Sequence, residues 1–198
     1  MDNTLHEIGN PVGLALRRFQ MRPGKIQLHI NAAAPLAVEE AVATRRANVG
    51  LTIVNSEIPG LTYLVIGAET TALYCGVDHP LAIAQPTGDV TEADLEGVDF
   101  VTRGYLRSDP TLHGRPRVST AVAHHVEGAV QLLLSGHHVG VLPDHIARPW
   151  VISGKMLKLK VAVARTSTPL CVVFRTKSHE IPAIAALIED LAQGYSVC

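Results

Sequence analysis

From residue 10 onward the hydrophobic positions switch between a helical and a two-residue period, and each switch predicts an element. Asn10-Pro11 opens a helix, proline being tolerated in a first turn, and Leu14, Leu16 and Phe19 follow before Arg22-Pro23-Gly24 stops it. Residues 25–30 (Lys-Ile-Gln-Leu-His-Ile) alternate with period two and predict a strand. From Pro35 the spacing of Leu36, Val38, Ala41, Val42 and Arg45 predicts a helix of about three turns. Residues 49–54 (Val-Gly-Leu-Thr-Ile-Val) are too few and too β-branched for another helix and predict a buried strand. Helix, strand, helix, strand is the α/β pattern, with a largely parallel sheet.

Strands follow at 61–66 and 71–75, then a turn at Asp78-His79-Pro80 and a polar connection over 87–97 with one short helix at 92–95. The pattern then restarts, with strands at 98–102 and 117–123. Residues 124–135 predict a helix, because Val126, Ala129, Val130, Leu133 and Leu134 form one stripe and Gly136 suits its C-cap. A short strand at 139–142 leads to Pro143-Asp144-His145, which opens a brief helix to about Arg148. Residues 150–159 read as irregular or weakly stranded, and 170–174 as an unbroken apolar strand. The last helix carries Ile181, Ile184, Ala185, Ile188, Leu191 and Ala192 on one stripe. Two α/β units therefore lie in tandem, one ending near residue 75 and one spanning about 98–160, with a closing strand and helix after them.

Composition narrows the function. The 198 residues are 47% apolar and 18% charged, ample for a packed core, and the length suits one large domain or two lobes of about 100 residues. Seventeen Lys and Arg against 18 Asp and Glu give a net charge of −1, and the only basic clusters are Arg17-Arg18 and Arg45-Arg46. Phosphate binding rests on clustered cations, so the chain alone is not expected to bind DNA. Cys75, Cys171 and Cys198 are widely spaced with no CxxC, which argues against a disulfide scaffold or structural zinc and for a reducing compartment. The first residues show no secretory pattern, and no apolar run approaches the roughly 18 residues of a membrane span. The expectation is a soluble cytoplasmic protein.

The residues offer little covalent chemistry. There is no G-x-S-x-G elbow, no G-x-G-x-x-G after a strand and no Walker loop. Cys75 lies in an apolar strand, where burial raises a thiol pKa and leaves it inert. The doublets His124-His125 and His137-His138 invite a metal reading, but adjacent residues point in different directions and no acidic partner stands at ligand spacing. Neither a metal nor a cofactor is expected. Arg103-Gly104-Tyr105 directly follows a predicted strand, where a guanidinium suits carboxylate capture and equally suits a solvated loop. His124-His125-Val126 begins a helix whose free N–H groups offer an anion site, or simply a polar cap. Asn3 and Thr4 precede the first helix as caps or contact residues.

Four segments in order resemble the effector-binding domain of LysR-type transcriptional regulators. The run from Leu73 to Ala82 is similar to the family's strand followed by "HPLA", and that from Ala129 to Pro143 to its helix, glycine and "GLLP" strand. Glu40 to Val54 resembles its helix and "G-x-x-D-L-G-I" strand, with Asn48 and Gly50 where the Asp-containing pattern varies. Val172-Val173-Phe174-Arg175, with Pro182 and the last helix, resembles its closing strand and helix. The resemblance implies an α/β fold of two Rossmann-like lobes joined by crossing strands, like type 2 periplasmic binding proteins, with an effector in the cleft. Lobe I would comprise residues 1–75 completed by 170–198, and lobe II residues 76–169. The family's N-terminal winged helix-turn-helix is absent, and Met1 to Thr4 aligns just after the family's first strand of lobe I. If that strand position is empty, its neighbours expose unpaired backbone groups.

The resemblance also implies the site. Asn3 and Thr4 fall at the polar start of the first helix, Arg103, Gly104 and Tyr105 after the first strand of lobe II, and His124 and Val126 at a helix start facing the cleft. An anionic organic effector suits those groups. The implied protein is a non-enzymatic sensor, homodimeric or homotetrameric, which reaches DNA only through the missing domain. A free-standing solute-binding protein for a transporter shares the fold, and a secretion signal upstream would favour it. An enzyme on the same fold would need an acid–base or nucleophile set in the cleft, and turnover would reveal it.

Overall fold

The structure is a computed structural model and describes residues 11–53, 57–106, 119–161 and 166–196. Contacts divide the chain into two units, Met1–Glu69 with Thr168–Cys198, and Thr70–Ser167. The divisions fall within continuous strands.

The first unit holds α1 (Pro11–Gln20), α2 (Pro35–Ala43), β1 (Val49–Ile53), the opening part of β2 (Leu61–Gly76), most of β7 (Thr166–Arg175) and α6 (Pro182–Ser196). β1 runs antiparallel to β7, Val49 opposite Phe174 and Ile53 opposite Leu170, and β7 lies between β1 and β2. The core gathers Ala15, Val172, Phe174, Ile184, Ile188 and Leu191. Of the predicted stripe on the last helix, Ile181 instead stands outside the helix and is exposed.

Small residues set the close approaches. A Cβ on Gly50 would lie 2.5 Å from Val38 Cγ1, so α2 presses on β1; one on Gly194 would lie 2.5 Å from the Pro11 carbonyl oxygen, so α6 presses on α1. The Arg22 guanidinium donates to Asp190 from Nε (3.0 Å) and Nη2 (2.9 Å), pinning the end of α1 to α6 through a carboxylate whose side chain is 3% exposed. Arg175 Nη1 donates to the carbonyls of Val42 and Ala47 at 2.9 and 3.0 Å, satisfying acceptors at and beyond the C-terminal end of α2.

Residues 25–30 do not form a strand. They are irregular and largely exposed, Ile26 and Ile30 each at 54%, without a ladder partner among the described residues. Alternation fixes the face each side chain takes and says nothing about whether a neighbouring strand is present.

The second unit contains the rest of β2, α3 (Pro80–Ala84), β3 (Phe100–Arg103), β4 (Ser119–Ala123), α4 (Val126–Leu134), β5 (Val139–Pro143), α5 (Asp144–Ile152) and β6 (Met156–Leu159). β3 pairs parallel with β4 and β5, while β2 pairs antiparallel with β5 and β6, so the sheet is mixed rather than largely parallel. One core cluster centres on Tyr74, Val101, Leu133, Leu142 and Met156, a second on Leu73, Cys75, Leu95, Val139 and Leu159. Cys75 is fully buried and burial pushes its thiol pKa up to about 11, the inert state expected of it.

Four local readings change. The strands expected at 61–66 and 71–75 are one strand, because Gly67-Ala68-Glu69-Thr70 interrupts the apolar pattern without interrupting the extended backbone. The turn at Asp78-His79-Pro80 continues into α3, whose N-cap is His79: its Nδ1 accepts from the Leu81 N–H at 3.1 Å, and Pro80 suits the first helical position. α5 runs through Pro149 to Ile152, and the stretch read as irregular ends in β6. β7 begins at Thr166, ahead of the expected 170.

Candidate functional site

The predicted residues of the second unit meet where parallel strands β3 and β4 end and α4 begins. Ladder pairing sets Arg103 opposite Ala123, and the Gly104 N–H extends it by donating to the Ala123 carbonyl at 2.9 Å. The next bond, from the Leu106 N–H to the Arg103 carbonyl at 3.1 Å, closes a tight turn that presents Gly104 and Tyr105. Arg103 is the last residue of β3 rather than part of the loop, is 5% exposed and is engaged within the fold.

Gly104 is exposed and stands against the neighbouring connection, because a Cβ there would lie 2.7 Å from Val122 Cγ1 and 3.1 Å from His124 Nδ1. His124 is exposed, and His125 caps α4, its Nδ1 accepting from the Glu127 N–H at 3.4 Å. Val126 begins α4, half-buried against the core. The structure thus brings Arg103, Gly104, Tyr105, His124 and Val126 to one end of one unit. Asn3 and Thr4 lie outside the described residues.

Chemically this end is rich in donors. It gathers the buried Arg103, the His124 imidazole and the N-terminal end of a nine-residue helix, with Glu127 in the first turn as the opposing charge. Such a set suits an anion better than it suits nucleophilic chemistry. Among the described residues, no three His, Cys, Asp or Glu side chains come together as a metal site.

A second polar constellation escaped the sequence. Asp144, the first residue of α5, accepts from Tyr74 Oη (2.6 Å), Lys158 Nζ (3.0 and 3.1 Å) and Thr70 Oγ1 (3.2 Å), joining β2, β6 and α5. Burial alone would raise the Asp144 pKa, but the hydrogen bonds from Tyr74, Lys158 and Thr70 and the Lys158 charge together outweigh it and hold it below the usual carboxylate value. Thr71 and Thr166 share a hydroxyl contact of 2.6 Å in the same unit. The only advance signal was an acid directly after Pro143 at a helix start, which by itself reads as a helix N-terminal charge.

Known proteins agree with this architecture. A transcriptional activator of Pseudomonas aeruginosa, BauR, described as HTH-type, is 28% identical over 146 residues, which cover 73% of this chain and 48% of BauR. This chain therefore spans about half the length of that curated relative. The regulatory domain of MetR, a LysR family regulator from N. meningitidis, superposes with a TM-score of 0.65 at 16% identity, covering 95% of this chain and 90% of that one. The regulatory domain of OxyR2 from Vibrio vulnificus superposes with a TM-score of 0.71 at 13% identity, covering 93% and 89%. These likenesses establish the α/β, type 2 periplasmic-binding-protein-like fold. No described helix is long and apolar enough to cross a membrane. The family profile of the LysR substrate binding domain matches residues 10–196, nearly the whole sequence, and the chain belongs to that family.

Proposed function

We propose that this chain is the effector-sensing part of a LysR-type transcriptional regulator, binding a small anionic organic molecule and releasing it unchanged. The observation that carries this reading is the convergence of Arg103, Gly104, Tyr105 and His124 on the N-terminal end of α4, a donor-rich end suited to a carboxylate. Val126 supplies an apolar wall. The sensor works as a homodimer or homotetramer in the cytoplasm and acts on DNA through a winged helix-turn-helix elsewhere in the regulator. The family match and the HTH-type description of BauR favour this over transport.

The test is a thermal-shift screen of small organic acids, since a ligand at about 100 times its dissociation constant adds ~2.7 kcal/mol of stability. For the acid that binds, Arg103→Ala and His124→Ala are each expected to weaken affinity about tenfold or more, in line with the ~1.5–3 kcal/mol of a charged hydrogen bond. Unchanged affinity in both variants would remove this end of the unit from the site. Recovery of chemically altered ligand would replace the sensor by an enzyme.

A further inference from the structure

Away from that end, the turn closing β2 packs on the turn closing α4. A Cβ on Gly76 would lie 2.5 Å from the Leu133 carbonyl oxygen, and one on Gly136 would lie 3.2 Å from Asp78 Cβ. The contact therefore tolerates little movement. It also concentrates imidazoles: His79 from the first turn, His137 and His138 from the second. His79 is 4% exposed, and because its Nδ1 accepts the Leu81 N–H it must carry its proton on Nε2 and remain neutral. His138 Nδ1 is buried without a hydrogen-bond partner among the described residues.

The segment that His79 controls is short and bounded. The Val77 N–H donates to the Lys155 carbonyl at 3.3 Å on one side, and the Lys160 N–H to the Gly88 carbonyl at 2.6 Å on the other. Between them α3 has five residues, with only Ala82 of the helix buried and Ile83 70% exposed, so its order depends heavily on its cap.

We infer that His79, with His137 and His138 packed beside it, is a proton-operated latch whose protonation removes the cap acceptor and releases α3 while the rest of the unit stays folded. Protonated imidazole donates at both nitrogens, so the Leu81 N–H would face a donor instead of an acceptor. The groups acting on His79 agree: burial opposes its charge most, His138 and His137 add like-charge repulsion, and Asp99 partly offsets them, leaving its pKa below the usual 6.5. Asp78 also lies in the contact. The latch is independent of the effector reading.

Hydrogen exchange of the full chain, corrected for intrinsic rates, tests this at pH 7.5 and over a series down to pH 5. Protection of residues 77–88 is expected to fall about fivefold to tenfold on acidification, the loss typical of one cap, while β5 keeps its protection. His79→Asn retains a side-chain acceptor without titrating and should abolish the pH dependence. The double variant His137→Gln, His138→Gln removes the repulsion and should move the midpoint to higher pH. Unchanged protection in the wild-type chain, the same pH dependence in His79→Asn, an unmoved midpoint in the double variant, or equal loss in β5 would each overturn the latch.

Discussion

At the scale of single residues, Gly104 is the position where chemistry and space meet most tightly. Its N–H is committed to Ala123, and the space a side chain would need is taken by Val122 and the His124 ring. Gly104→Ala should therefore move His124 and cost about 1 kcal/mol through a forced rotamer change. Because the two side chains lie at the proposed anion site, effector affinity should fall by about tenfold or more, the scale of one charged hydrogen bond. Calorimetry with the bound acid, alongside a thermal melt, separates the two effects. A variant that loses stability but binds the acid normally would show that His124 does not touch it. Arg103 makes a related point: read as a loop arginine, it is a buried strand terminus, and a fixed guanidinium selects geometry better than a swinging one.

Among elements, the joint between α1 and α6 carries a largely buried ion pair beside its apolar contacts. Asp190 is nearly fully buried, so removing Arg22 leaves a carboxylate without its bidentate partner, which is worse than removing both. Urea titrations should find the Arg22→Ala, Asp190→Ala double variant at least as stable as Arg22→Ala alone, with strongly non-additive effects. Simple additivity would show that the pair is not coupled. Asp190 lies one position from the predicted apolar stripe, and periodicity, which ranks faces by hydrophobicity, cannot see a distant arginine. The same limit explains residues 25–30, whose alternation is real but which have no ladder partner among the described residues. Elements with dense apolar signals were legible: β1, α4, β5, β7 and α6 all stand where the pattern placed them, within a few residues at their ends. α3 was not, since five residues are too few to show a period and its cap is a histidine. Of the site, the meeting of β3, β4 and α4 followed from the α/β alternation, whereas the Asp144 constellation joins residues 70, 74, 144 and 158 and has no local signature.

On the scale of the whole molecule, the net charge of −1 at pH 7 turns positive as ten histidines and then the carboxylates take up protons, so acid sensitivity from particular groups is separated from general repulsion by variants at those groups. In the second unit these are His79 and Asp144, with Asp89 and Asp94 also held below the usual carboxylate value by their hydrogen bonds. His79 has a folded pKa below its usual 6.5, so below about that pH the unfolded chain binds more protons and stability falls as the pH drops. Asp144 has a folded pKa below its usual 3.8, so its contribution is intact above that value and is lost as the pH falls through its folded pKa. Urea unfolding followed at successive pH values should therefore show two separate declines, one beginning below about 6.5 and one below about 3.8. His79→Asn should remove the first and leave the second. Asp144→Asn should make the second shallower, to which Asp89 and Asp94 also contribute, and leave the first, at a lower stability throughout, because the amide cannot pair with Lys158 as the carboxylate does. If both variants flatten the same decline, the two groups do not titrate independently, and a single coupled opening of the unit must replace the two-site account.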